Sequence, residues 1–198
     1  MGMRMASLFF VTHPEVEVDP SVPVARWRLS PQGVARMRVF AGRAELGSVG
    51  AVWASTEAKS IEAAGILAAG LRIGVRVCRA LGENDRSATG FLPPEEFERV
   101  ADAFFARPEE SVRGWERAVD AQRRIRGAVG RIVSEHAAGG TGDLAVVAHG
   151  AVGTLLLCAL AGKAISRRED QPFQGHYWRA ELPGLVPRHG WRAIAPRR

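Results

Sequence analysis

The sequence predicts an α/β fold, with a mostly parallel central sheet covered by helices on both faces to make a three-layer sandwich. Three observations carry this reading. Short apolar runs alternate with stretches whose apolar residues recur at helical spacing. Two of those runs, in LFFVTHP and LAVVAHG, end in a histidine followed by a helix breaker. The 198 residues suffice for one sizeable core and fall short of two, so residues 1–198 are read as a single domain.

The elements follow in order. The apolar run from Ala6 to Val11 forms a first strand that leads into His13 and is stopped by Pro14. Ser30-Pro31 supplies an N-cap and a proline at the first helical position, and Val34, Met37 and Ala41 carry that helix to about Arg43. Val49 to Ala54 is short and apolar, fit for a buried strand. Ala58, Ile61, Ala64, Leu67 and Leu71 mark one face of the next helix, and Gly74 to Cys78 reads as a third strand. After the polar stretch RALGENDRSATGF, Pro93-Pro94-Glu95-Glu96 opens a helix with proline and acid where the helix dipole favours them.

Trp115, Val119, Gln122, Ile125, Val129 and Ile132 line one face of a long helix that breaks at AAGGTGD. Leu144 to Ala148 is the next strand and Ala151 to Leu160 the helix after it. Tyr177 to Leu182 and Trp191 to Ile194 read as late strands.

Composition excludes several classes. With 46% hydrophobic and 24% charged residues the chain is neither disordered nor membrane-like, and no segment has the length of a transmembrane helix. A net charge of +6 could attract nucleic acid, but the arginines are spread through every helix instead of forming a stripe, which argues against that partner. Cys78 and Cys158 are too few and too distant for a disulfide framework or a metal cluster; both read as buried thiols in a reducing compartment. No export-like segment opens the sequence, so a cytoplasmic location is expected. Neither a cofactor nor a metal is called for. The glycines of AAGGTGD precede a strand, whereas a nucleotide-binding loop follows one. The oligomeric state stays open, a homodimer among the options.

In a parallel sheet, ligands gather at the carboxyl ends of the strands. His13, Ser55 and His149 all fall at that edge, and Glu83 lies in the loop after the third strand. Two imidazoles converging there would serve as nucleophile and anion clamp, or as metal ligands, although no third ligand stands at regular spacing. Each also has a plain structural role open to it. A histidine closing a strand bonds a loop carbonyl, Glu83 and Arg86 are solvated loop residues, and Ser55 caps the helix after it. His136 would satisfy the last carbonyls of the long helix. His176 starts a strand or rims a substrate site. Phe91, Phe97, Phe104, Phe105 and Trp115 would build a core around the segment after Glu83, part of which would roof the pocket.

The ordered set resembles the histidine phosphatase superfamily, also called the phosphoglycerate mutase-like family, over residues 8 to about 162. Thr12-His13-Pro14 is similar to the family's Arg-His-Gly. Trp27-Arg28-Leu29-Ser30-Pro31-Gln32-Gly33 is similar to the leucine- and glycine-containing segment that follows it. Ser55-Thr56-Glu57-Ala58-Lys59-Ser60 resembles its Ser-Pro-x-x-Arg-Ala run. Leu81-Gly82-Glu83 resembles the acid-bearing loop, and Val146-Val147-Ala148-His149-Gly150 the second histidine motif.

The resemblance implies a phosphoglycerate mutase-like fold and a phosphatase acting on a small-molecule or protein phosphomonoester. His13 would carry a phosphohistidine intermediate and His149 would hold the equatorial oxygens. Glu83 would protonate the leaving oxygen and later activate water. A neutral imidazole suits attack on an anionic ester, which repels anionic nucleophiles, and no metal is needed. The expected ligand is a phosphorylated substrate or inorganic phosphate, held by Thr12, Lys59, Arg86 and Ser55.

The chain also departs from the pattern. Thr12 stands where the family has arginine. Charge-assisted bonds contribute roughly 1.5 to 3 kcal/mol and neutral ones about 0.5 to 1.5, so phosphate holding would weaken about tenfold or more. Arg86 would supply the missing guanidinium. Lys59 keeps the second charge without the planar fork, Pro14 replaces glycine, and Asp19 stands near a common asparagine. Two alternatives therefore accompany the phosphatase: a weakened or inactive phosphate-binding or interaction protein of the same fold, and a phosphomutase.

Overall fold

The computed structural model describes residues 5–197. Its six-stranded sheet combines β1 (Ser7–Thr12), β2 (Val49–Ala54), β3 (Val75–Val77), β4 (Asp143–Ala148), β5 (His176–Glu181) and β6 (Val186–Ala193) in the order β3-β2-β4-β1-β5-β6. The first four of that order are mutually parallel; β5 and β6 add antiparallel to the β1 edge. The helices are α1 (Pro31–Ala41), α2 (Ala58–Leu71), α3 (Pro94–Ala106), α4 (Ala118–Gly139) and α5 (Gly150–Leu160).

Period-two alternation along the fully buried β1 explains the three layers. Leu8 and Phe10 face one side with Leu144, Val146 and Trp178, under Ile125, Val129 and Ile132 of α4 and Leu155 and Leu156 of α5. Phe9 and Val11 face the other, with Val52, Ala145 and Val147, under Met37 and Phe40 of α1 and Ala63, Ala64 and Leu67 of α2. Phe10 stacks on Trp178 at 4.9 Å between ring centroids. The aromatics of α3, Phe104 and Phe105, join Trp115 in the first of these cores, with Phe97 partly buried against it; Phe91 instead packs on Trp27.

Local chemistry sets the start of α1. Ser30 caps α1 by accepting the Gly33 N–H at 3.1 Å, with Pro31 at the first position as expected. The helix stops at Ala41, two residues earlier than expected. Trp115 lies outside α4, not on its face, because Arg113 and Gly114 adopt positive φ (53° and 80°) and interrupt the helical path before Ala118. β3 is shorter than expected and β6 longer, beginning at Val186. His136 meets a loop oxygen, that of Gly142 at 3.0 Å, instead of a carbonyl of its own helix. Cys158 is buried, while Cys78 is half-buried; both are free. Among the described residues no helix is long and apolar enough to cross a membrane.

Candidate active site

Sheet register brings the catalytic candidates together. Thr12 pairs with Ala148 across β1 and β4, and Ala54 pairs with Val147 across β2 and β4, so the residue after each strand emerges at one level. Those residues are His13, Ser55 and His149. Backbone bonds fix them there: the His13 N–H donates to Ala148 O at 3.1 Å and the Ser55 N–H to Val147 O at 3.3 Å.

The two imidazoles lie edge to face with ring centroids 5.2 Å apart. His13 Nδ1 is 2.9 Å from Pro14 O. A carbonyl only accepts, so Nδ1 carries the proton and Nε2 of the neutral ring keeps its lone pair. Burial, reinforced by the charge of Lys59, lowers the His13 pKa from 6.5 to about 4, so the ring is neutral at pH 7. His149 is fully buried, and burial drives its pKa well below the ordinary value. Its Nε2 lies 2.7 Å from Ser55 Oγ and 3.2 Å from a carboxylate oxygen of Glu57. The hydroxyl of Ser55 is the hydrogen-bond partner of Nε2, the Glu57 carboxylate stands beside it, and His149 Nδ1 is buried with no partner among the described residues.

Glu57, which the sequence reading passed over, is the hub of the site. It pairs with Lys59 Nζ, contacts His149 and accepts the Glu83 N–H at 3.0 Å. Burial alone would raise its pKa; the neighbouring His149 and Lys59 outweigh burial and hold it at about 2. Lys59 is itself buried and also donates to Val24 O at 2.9 Å. Its side chain is thus fixed between α2 and the 3-10 turn Val24–Arg26.

Glu83 sits at the start of α5. Its carboxylate accepts the N–H groups of Val152 at 3.1 Å and Ala151 at 3.3 Å, two donors that the first helical turn leaves without internal partners. Burial raises its pKa, and the negative charge of Glu57 adds to this; Arg86 and the backbone bonds oppose it. The loop that bears Glu83 is clamped by Arg124 of α4, which donates to the carbonyls of Ala80 and Gly82 at 2.9 Å and of Glu83 at 3.1 Å while paired with Glu116.

Arg86 lies over the rings of Phe97 and Trp115, 5.1 and 5.6 Å from their centroids, and its charge acts on His13, Glu83 and His149. Asp85 is engaged with the Ser87 backbone N–H.

Thr12 belongs to the β1 edge of the site, but its hydroxyl is occupied. It accepts the His176 N–H at 2.9 Å and donates to Gln171 Oε1 at 2.7 Å. Gln171 Nε2 in turn lies against Gly150, where a Cβ would come within 2.5 Å of it. Ser55 Oγ meets His149 as well as the Glu57 N–H, and no side chain caps α2. Among the described residues no group of three or more His, Cys, Asp or Glu could hold a metal ion.

Solved structures share this fold. Bacillus stearothermophilus YhfR superposes with a TM-score of 0.77 at 21% identity, covering 93% of this chain and 95% of that one. The mycobacterial glucosyl-3-phosphoglycerate phosphatase Rv2419c gives 0.75 at 19% identity, covering 97% and 100%. A putative alpha-ribazole-5'-P phosphatase from Escherichia coli gives 0.71 at 16%, covering 96% and 98%. No curated protein sequence matches the chain significantly. The family model for the histidine phosphatase superfamily (branch 1) matches residues 10–177, a span that contains both imidazoles, Glu57 and Glu83. The chain therefore belongs to the histidine phosphatase superfamily.

Proposed function

We propose that the protein hydrolyses a phosphomonoester in two steps through a phosphohistidine on His13. The observation that carries this reading is the pairing of a neutral His13, its Nε2 unprotonated, with a second imidazole at 5.2 Å. In the first step Nε2 forms a bond to phosphorus as the ester P–O bond breaks, and Glu83 passes a proton to the departing oxygen. The raised pKa of Glu83 suits a group that must hold that proton. In the second step Glu83 takes a proton from water, the new oxygen bonds phosphorus, and His13 departs as a neutral ring.

Lys59 and Arg86 provide the positive charge that offsets the phosphoryl oxygens, and Arg86 compensates for the guanidinium missing at Thr12. Structures of the mycobacterial relative with inorganic phosphate and with VO3 support phosphate as the ligand class.

Binding without turnover is the second reading, and specific contacts favour it. Thr12 is bound to Gln171 and His176, Lys59 is paired with Glu57, and His149 Nε2 is engaged with Ser55 Oγ. Assay of a panel of phosphomonoesters separates the two. The phosphatase reading expects turnover that His13→Ala abolishes; phosphate binding with no turnover of any ester would replace it with the second.

A further inference from the structure

Glu57 puts a negative charge where an anion is to be bound. Its carboxylate accepts from Lys59 Nζ and the Glu83 N–H and lies 3.2 Å from His149 Nε2, groups that together make the kind of cradle that phosphoryl oxygens require. A dianion entering beside this carboxylate meets like charge at short range, in surroundings that screen poorly. His149 offers a way round the repulsion. Its ring is neutral, its Nδ1 is buried without a partner among the described residues, and an imidazolium formed there would have its charge balanced by the carboxylate 3.2 Å from Nε2.

We propose that Glu57 makes phosphate binding proton-coupled: the pocket takes the phosphoryl group with one proton, as the monoanion, and that proton moves to the neutral His149 ring while Glu57 compensates the charge. The step balances, since a protonated phosphoryl oxygen and a neutral imidazole become a dianionic phosphoryl group and an imidazolium, with no other reactant. Glu57 thus acts through His149 as a positioning residue that sets the ionic form of the ligand. The inference rests on the phosphate-binding part of the function proposed above.

The other charged or titratable groups at the site are His13 from the end of β1, Lys59 from α2, and Glu83 and Arg86 from the loop after β3. The 3-10 turn Val24–Arg26 presents the Val24 carbonyl to Lys59. His13 is the less suitable proton acceptor because the ion-pair contact of Glu57 is to His149, and the one unprotonated nitrogen of His13 is the Nε2 that must attack phosphorus. Glu83 is the competing acceptor, so the experiment must distinguish it from His149.

Isothermal titration with inorganic phosphate at about pH 8, in buffers of different ionisation enthalpy, counts the protons exchanged on binding. Wild-type protein should take up about one proton per phosphate, and its affinity should rise as the pH falls towards about 6, where phosphoryl dianions become monoanions. Glu57→Gln should lose the proton uptake and bind phosphate at about pH 8 about tenfold tighter, because Lys59 is then unopposed. Glu83→Gln should keep the uptake.

No proton uptake by the wild type, or uptake retained in Glu57→Gln or abolished in Glu83→Gln, would overturn the inference and leave the phosphatase reading standing. Absence of phosphate binding by the wild type at any pH would overturn both. Proton-coupled binding with no turnover of any ester would uphold the inference and remove the phosphatase. The wild-type proton count stands alone if Glu57→Gln fails to fold.

Discussion

Lys59 shows how a single residue type can carry information beyond its charge. It is one of two lysines in the chain, and it is buried, a position a cation tolerates only beside an anion. Glu57, two residues before it, was the nearest acid in the sequence, and the need to pair a buried lysine was the signal that would have found it. Thr12 was legible as a departure from the Arg-His-Gly pattern, but its partners Gln171 and His176 lie some 160 positions away and no local pattern announces them.

Arg86 belongs to the same scale. Its guanidinium stands over Phe97 and Trp115, within cation–π reach of both rings, a contact that a guanidinium makes more readily than an ammonium. Arg86→Ala should weaken phosphate binding about tenfold, and Arg86→Lys should restore less than the charge alone would give. Unchanged phosphate affinity in Arg86→Ala, measured by the same titration, would remove Arg86 from the site.

At the scale of elements, the site depends on how α1 seats the segment after His13. Gly33 in its first turn passes so close to the chain that a Cβ would lie 2.2 Å from Glu15 O, the atom that accepts the Ser30 N–H at 2.9 Å. Backbone cannot yield there as a flexible side chain would. Gly33→Ala should destabilise the protein by about 1 to 3 kcal/mol and lower kcat/KM by shifting His13, two residues from Glu15. A melting temperature equal to the wild type's would refute this packing argument.

The parallel strands were legible because each is a short apolar run with a helix behind it. β6 was harder to bound. Its sequence VPRHGWRA carries a proline and a glycine and is half exposed along its length, so its beginning escaped periodicity. Trp115 was misplaced onto α4 because helical spacing continues through it, whereas the positive φ angles at Arg113 and Gly114 do not show in an apolar pattern.

Across the whole molecule, the sheet separates two cores and leaves one edge where buried ionisable groups meet, which links chemistry to stability. His13 has a pKa of 6.5 unperturbed and about 4 when folded, so between these values the unfolded chain binds more protons. Its contribution is full above 6.5 and lost as the pH falls towards 4. His149 acts in the same sense. Glu57, held at about 2 against 4.5, contributes above 4.5 and loses that contribution at lower pH. Glu83, with a raised pKa, acts in the opposite sense, favouring the fold as the pH falls. Between neutral pH and pH 4 the two imidazoles act against Glu83 and predict a melting temperature that declines over this range, which His13→Asn should blunt, while Glu57 adds its loss only below 4.5. A flat profile over this range would contradict the assignment of buried neutral imidazoles.

The direct test is to trap the covalent intermediate. Protein mixed with a hydrolysable phosphomonoester and quenched under alkaline conditions should carry an acid-labile phosphoryl group on His13, located by mass spectrometry and missing from His13→Ala. Ester turnover with no label on His13, or with the label on another residue, would contradict the account.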